Sequence, residues 1–440
     1  MGIQGLMSRT ELAKSNLDRF AANEDSYGDL KPLKSRNTGE QILALPAGFE
    51  YNVFGKTGSK MGDGRLTPGA HDGMAAFTVD GKIRLVRNHE VRKRKGEETK
   101  AIGDRRNSYD MSAGGGTTTL IVDPSSRDLI KDYVSLSGTI VNCAGGPTPW
   151  GTWITCEETT VGHIAGQVYH KDSDIVKFDR DHGYNFEVSA NANGTVKAVP
   201  LKEMGRFVHE AVAIDPATGT VYQTEDFKTA GFYRYIPNKP GNLAAGGKLQ
   251  MMRVKDRPEL DTRKNMRAGE VLKCDWVDIK NPDPSDATQK PLAVFEQGKA
   301  QGAATFGRLE GCWYGHGHIY LNSTDGGNAG KGQIWRYTSK GDEGELVLLF
   351  ESPSADVLDA PDNICVSPRG GLAICEDGGG TNFVRGLTAD GRIFSFAQNV
   401  MNDSEFAGSC FSADGRTMFV NIQSPGLTLA IWGPWERGGL

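Results

Sequence analysis

Carboxylates recur in this chain at a fixed spacing, and the spacing gives them chemical meaning. Glu210 and Glu225, Glu310 and Asp325, and Asp362 and Asp377 are each 15 residues apart. The same interval joins Cys143 to Glu158, Gly73 to Asn88 and Gly408 to Gln423. Each pair brackets an apolar run, a turn rich in Gly, Pro or Asp, and a second apolar run, as in HEAVAIDPATGTVYQTED (209–226) and PDNICVSPRGGLAICEDG (361–378). Antiparallel strands retrace their path, so the two ends of such a hairpin return to the same end of the sheet. Collected there would be Asn88, Glu90, Cys143, Glu157, Glu158, Glu210, Glu225, Asp226, Glu310, Asp325, Asp362, Glu376 and Asp377. Carboxylates gathered in one place repel one another and take up protons unless cations intervene. Metal ions are the expected answer. Oxygen ligands favour hard cations such as Ca²⁺, and one thiolate, Cys143, among carboxylates favours a softer or redox-capable ion such as iron. The plainer alternative, strand-end acids facing water, is even-handed for any one residue and weakens across the set.

Cations held this way would bind an oxyanion and activate an oxygen nucleophile, which makes phosphate esters the natural substrate. Arg308, two residues before Glu310, is suited to a bidentate grip on phosphate oxygens and is the expected catalytic and substrate-binding arginine. Arg206 is a second substrate-binding candidate, with a structural ion pair as its alternative. His209, Asp226 and Asp325 are expected to support the ligands from behind; His209 would orient Glu210 or sit as a buried, satisfied histidine.

These residues need six similar hairpins to position them. Copies begin near residues 73, 143, 210, 310, 362 and 408, with offsets of 70, 67, 100, 52 and 46. Offsets of 45–50 suit a four-stranded propeller blade, and longer ones a blade with inserted loops. Turn sequences VDGK (79–82), PATG (216–219), PRGG (368–371) and ADGR (413–416) tolerate the positive φ that tight hairpins require. The expected fold is all-β, a six-bladed β-propeller with a metal site at one end of its central channel. The run LTLAIW (427–432) is expected to close the ring beside YNVFG (51–55). Residues 1–45 are expected as an N-terminal arm, 46–435 as the propeller, and 238–300 as a polar surface insertion.

Composition agrees. Glycine makes up 57 of 440 residues, about 13% against a usual ~7%. Helix bundles are disfavoured by that excess, since each helix-interior glycine costs about 1 kcal/mol relative to alanine. No period of three appears, which excludes collagen. A net charge of −5 excludes a general nucleic-acid surface, so any basic site must be local. No stretch approaches ~18 consecutive apolar residues, so no membrane span is expected. Residues 1–20 read as a short polar helix without an export signal. Seven cysteines without a CxxC pair argue against a zinc ribbon or a disulfide scaffold. GGGTTT (114–119) and GGNAGKG (326–332) lack the rest of a phosphate-binding loop, and no GxSxG elbow occurs.

The segments RNHE (87–90), NCAGGPTPWGTWITCEE (142–158), GRFVHEAVAIDP with TED (205–226), FGRLEGCW (306–313) and PDN with EDG (361–378) resemble the PhoX-type alkaline phosphatases, across about residues 45–435. The resemblance implies a six-bladed propeller carrying Fe³⁺ and Ca²⁺ on its axis and hydrolysing phosphomonoesters through a metal-bound oxygen. It implies Cys143 as an iron ligand. Ligation of iron and calcium would be shared among Asn88, Glu90, Glu157, Glu158, Glu210, Glu225, Glu310, Asp362 and Asp377, with Arg308 on the phosphate. It also implies a periplasmic or secreted protein, although the twin-arginine signal of that route is not visible in this chain. A small-molecule phosphoester is the expected partner, without nucleic acid or membrane, and a monomer is expected. Two rivals stand beside this reading: a calcium-dependent lactonase or esterase propeller, which needs no thiol, and a non-catalytic binding propeller.

Overall fold

A computed structural model describes residues 26–167 and 175–440; the helix expected over residues 1–20 lies outside the described residues. The protein is an all-β propeller-like fold, and Ala293–Lys299 is the α-helix among the described residues. Six hairpins supply its inner strands: His71–Val79 with Lys82–His89, Asn142–Pro147 with Thr152–Glu157, His209–Ile214 with Val221–Glu225, Leu309–Gly315 with His318–Ser323, Pro361–Val366 with Leu372–Glu376, and Phe406–Phe411 with Met418–Ile422. The first strand of each hairpin packs against the first strand of the next, and the sixth returns to the first, so the six inner strands form a closed ring.

Outer strands complete each sheet. Gly115–Val122 and Leu129–Thr139 extend the first hairpin, and Asn185–Ser189 the second. The third and fourth hairpins belong to one nine-stranded sheet, because the outer strand Val271–Asp278 pairs with Glu343–Glu351. Residues 238–300 therefore contribute Gly247–Val254 and Val271–Asp278 to that sheet, with the loops around them at the surface. Lys31–Lys34 and Gln41–Leu45, from the segment expected as an arm, add to the outer edge of the fifth hairpin's sheet through Ile393–Asn399. The apolar run of Gln41–Leu45 explains this: four of its five residues are buried.

Ring closure is antiparallel pairing of Leu427–Trp432 with Glu50–Phe54. Arg87, fully buried, spans this seam. It donates to Gly55 O (3.2 Å), Thr428 Oγ1 (2.7 Å), Thr118 Oγ1 (3.1 Å) and His71 Nδ1 (3.2 Å). Close approach of the inner strands explains part of the glycine excess. A Cβ on Gly146 would lie 1.9 Å from Val212 O in the third hairpin, and one on Gly73 would lie 2.7 Å from Ala144 Cα in the second.

Candidate metal centre

All six inner strands carry the same irregularity. Pairing slips between His71 and Met74, Asn142 and Gly145, His209 and Val212, Leu309 and Cys312, Pro361 and Ile364, and Ala407 and Cys410. A bulge bends a strand and re-aims its side chain, and bulges concentrate beside active sites. The residue that enters each bulge is Asp72, Cys143, Glu210, Glu310 or Asp362, and Gly408 in the sixth.

On the returning strand, side chains alternate between faces. In the first five hairpins His89, Glu157, Glu225, Ser323 and Glu376 are the residues paired just before the bulges, and their polar side chains turn into the blades; in the sixth the apolar Ile422, paired with Phe406, takes the equivalent place. The Glu157 carboxylate accepts from Ile140 N (3.0 Å), Gly183 N (2.8 Å) and His182 Nδ1 (2.6 Å). Burial alone would lower the His182 pKa, but Glu157 and Asp110 together raise it to about 9. Glu225 accepts from Gly231 N and Tyr233 Oη, both 2.8 Å. Glu376 pairs with Arg385 (2.8 Å). One step further along lie Glu90, Glu158, Asp226, Thr324, Asp377 and Gln423, on the opposite face and toward the axis.

The ligand-type atoms that meet there form four overlapping groups, each with its atoms within 4.8 Å of one another: Asp72, Glu90 and Cys143; Cys143, Glu158 and Glu210; Glu210, Glu310 and Asp362; and Asp362, Asp377 and Glu405. Seven of the ten residues expected as ligands are thus brought together: Glu90, Cys143, Glu158, Glu210, Glu310, Asp362 and Asp377. Asn88, Glu157 and Glu225 are not. Asn88 is fully committed elsewhere, donating to Cys143 O (3.0 Å) and Ala144 O (2.7 Å) and accepting from Trp153 Nε1 (2.8 Å). It holds the next hairpin's bulge. Thr224, Asn322 and Asn421 occupy the same register position and do the same, bonding Glu310 O, Pro361 O and Asp72 O, each at 2.6 Å.

Two members were missed. Asp72 is the bulge residue of the first hairpin, one position before Gly73, from which the 15-residue interval was counted; the acid in HDG (71–73) was the available signal. Glu405 comes from the loop before the sixth hairpin, three residues ahead of Gly408 and outside the hairpin interval, so the 15-residue count could not reveal it.

The supporting residues divide in the same way. Arg308 grips Asp226 in a bidentate pair (2.9 and 2.8 Å) and reaches Glu310 (2.8 Å). Arg206 is buried in a different place, donating to His182 O (2.9 Å), Thr160 O (3.0 Å) and Thr288 Oγ1 (3.0 Å). His209 donates from Nε2 to Gly205 O (2.9 Å), stacks on Phe207, and is held by burial at a pKa of about 3. Asp325 is exposed.

A cavity of about 290 Å³ opens over the cluster. Its cationic lining residues are Arg92 and Arg308; the rest are carboxylates, Cys143 and Gln423. Burial and mutual repulsion raise the pKa values within it. Glu210 is pushed well up by burial, then by Glu310, Glu158, Asp362 and Asp72. Asp72, Glu158 and Glu405 rise for the same two reasons, and Cys143 is held as a thiol by burial and by Asp72. Asp362 is raised to about 7, by burial first and Asp377 second. Both carboxylate oxygens of Glu210 are buried without a hydrogen-bond partner. Native proteins rarely leave such groups unpaired, and a site for a bound ion is one of the few physical reasons for it. The donor set, carboxylate oxygens with one sulfur, fits metal cations.

An all-β propeller-like fold with an acidic, metal-suited cluster facing an arginine defines a class of metal-dependent hydrolase acting on anionic esters. Residues 28–426 match the family described as alkaline phosphatase PhoX, and the chain belongs to that family. It is accordingly a metal-dependent phosphoester hydrolase. Among solved structures, the chain is similar to Pseudomonas fluorescens PhoX in complex with vanadate, a transition-state analogue. That match has 18% identity and a TM-score of 0.66, and covers 93% of this chain and 98% of that one. A gluconolactonase from Xanthomonas campestris, XC5397, aligns at 11% identity with a TM-score of 0.46, over 92% of this chain and 96% of that one. No curated protein sequence matches the chain.

Proposed function

We propose that this chain hydrolyses phosphomonoesters in the cavity over the cluster, with iron and calcium as its metals. Glu210 carries the reading: a fully buried carboxylate with both oxygens unpartnered, at the junction of two of the four ligand groups. Two of the four groups contain the Cys143 sulfur: Cys143 with Asp72, Glu90, Glu158 and Glu210 would hold iron, and Glu310, Asp362, Asp377 and Glu405, which offer oxygen alone, would hold calcium, with Glu210 able to serve either. When bound, such ions polarise a phosphoryl oxygen and lower the pKa of a water. Arg308 presents its guanidinium to the phosphoryl oxygens, and Asp226 fixes its plane before the substrate arrives, so no reorganisation is needed as charge develops. Asn88, Thr224, Asn322 and Asn421 hold the bulges that carry the ligands.

The six bulged hairpins in a closed ring support a six-bladed propeller, in which the nine-stranded sheet is two blades joined at their outer edges. Closure within one chain supports a monomer. Six of the seven cysteines are buried away from the cavity and the seventh, Cys143, is the proposed metal ligand, which suits the periplasmic location that accompanies the family resemblance.

Metal analysis of the purified protein, paired with p-nitrophenyl phosphate turnover before and after calcium chelation, tests this. Iron and calcium are expected, with activity lost on chelation. Arg308→Lys keeps the charge but loses the bidentate fork, and should lower kcat by about 10²-fold, the scale of one lost transition-state donor. Protein free of iron that turned over esters normally would overturn the metal assignment, and protein inactive on phosphoesters would overturn the reaction.

A further inference from the structure

The sequence Arg92-Lys93-Arg94-Lys95 concentrates four positive charges in a chain whose net charge is −5. Its first member lies in the cavity. Arg92 lines it, pairs with Glu90 and approaches Glu158 Oε2 to 3.7 Å, with its side chain 36% exposed. The run then leads outward. Lys93 folds over the Phe178 ring (4.9 Å) and donates to Lys177 O (3.2 Å), whereas Arg94 and Lys95 are exposed. The backbone is tied at its start, where Val141 N donates to Val91 O (3.1 Å), and turns at its outer end, where the Glu97 carboxylate accepts from Arg94 N (3.0 Å). Glu97 and Glu98 follow the run, leaving the loop with a net of two positive charges.

A run of four basic residues on a surface ordinarily just faces water. This one begins as a wall of a cavity whose other lining residues are mostly acidic. Arg94 and Lys95 are two and three residues further on, so their Cα atoms lie within about 7 and 11 Å of that of Arg92. That is the reach of a substrate extending past the cavity mouth.

We propose that Arg92, Arg94 and Lys95 form a cationic subsite for a second anionic group, so that the preferred substrates are phosphomonoesters carrying another phosphate, such as sugar bisphosphates. Arg92 contacts the substrate at the mouth, and Arg94 and Lys95 hold the distal phosphate. The proposal rests on the phosphomonoesterase reading above and adds the substrate class to it. Two exposed cations acting on a phosphate dianion at such distances change its binding about 3- to 10-fold at low salt, and much less when screened.

The test compares kcat/KM for fructose 1,6-bisphosphate and fructose 6-phosphate, in the metal-loaded wild type and in the R94S/K95S variant. Measurements at about 0.01 M and about 1 M salt span Debye lengths of ~30 to ~3 Å. Wild type should prefer the bisphosphate at low salt, the preference should fall about 3- to 10-fold in the variant, and high salt should erase the difference between the two proteins. Arg92→Gln should raise KM for the bisphosphate more than it lowers kcat. An unchanged ratio in R94S/K95S, with wild type turning over both esters, would refute the subsite alone. Wild type inactive on both would refute the phosphomonoesterase reading, and the subsite with it.

Discussion

Asp362 allows a test of the cluster that needs no substrate. Its pKa stands at about 7 in the folded metal-free protein, raised by burial, then by Asp377 and Glu90 and opposed by the Asn363 hydrogen bond and Arg308. The ordinary value for aspartate in an unfolded chain is ~3.9. A folded value above the unfolded one means that the folded state binds the proton more tightly, so stability is fully present below about pH 4 and is lost as pH rises through about 7. At about 1.4 kcal/mol per unit, a difference of about three units amounts to roughly 4 kcal/mol at pH 8, and about 1–2 kcal/mol at pH 5. Asp362→Asn removes the titrating group and keeps its shape, so in metal-free protein it should stabilise by those amounts. For 440 residues the unfolding entropy is about 0.9 kcal/mol/K, so the variant should melt about 4–5 °C higher at pH 8 and about 1–2 °C higher at pH 5.

Comparing variant with wild type at each pH matters because other groups titrate in the same window. Burial holds His71, His89 and His209 below their ordinary range, which favours folding as pH rises, and His182 has the opposite sign. Those terms are common to both proteins and cancel in the difference. Saturating calcium should reverse the sign: wild type gains binding free energy that the variant lacks, and the variant should melt lower. Calorimetry at pH 5 and 8, with chelator and with calcium, gives all four values. A variant that melts lower than wild type in chelator at pH 8 would show that Asp362 is satisfied without a cation, and the argument for a metal cluster would fail with it.

The neighbouring glutamates should separate by mechanism. Glu157→Gln breaks a buried network with His182 and three backbone N–H groups and should cost about 3–5 kcal/mol of stability, whereas Glu158→Gln should abolish metal-dependent turnover while leaving metal-free protein at least as stable. Thermal melts and p-nitrophenyl phosphate assays on both variants check this, and an exchange of the two phenotypes would reverse the facing inferred from the strand register. Arg87→Ala should cost about 3 kcal/mol, a melting shift of about 3 °C, because it strips the closure seam of a buried donor bonded to Gly55, Thr118 and Thr428. An unshifted melt would mean that the seam is held by strand pairing alone.

Most of the architecture was legible because the hairpin repeats in sequence as well as in space. Turn residues, apolar runs and terminal acids recur together, and LTLAIW and YNVFG could be matched as a closing pair once a propeller was expected, because propellers join their terminal strands. The outer strands were less legible. Lys31–Lys34 and Gln41–Leu45 join a sheet whose other strands lie some 350 residues away, and no local pattern encodes such a partner. Apart from Glu405, which lies outside the hairpins, the site was legible to within one residue, and that one residue decides function, because a strand alternates faces with every step. A fixed interval of 15 assumes equal turns. The structure instead joins bulge to axis-facing residue over intervals that vary with the turn: Asp72 to Glu90, Cys143 to Glu158, Glu210 to Asp226, Glu310 to Thr324. Where the turn matched the interval, as for Cys143 and Asp362, the count landed on Glu158 and Asp377. Where it did not, it landed on Asn88 and Glu225, whose side chains serve the scaffold. In the doubled acids Glu157-Glu158, Glu225-Asp226 and Glu376-Asp377, the first carboxylate braces the blade and the second faces the axis. Composition cannot separate the two; the position of the bulge on the partner strand does, because it fixes which residue of each pair is turned toward the channel.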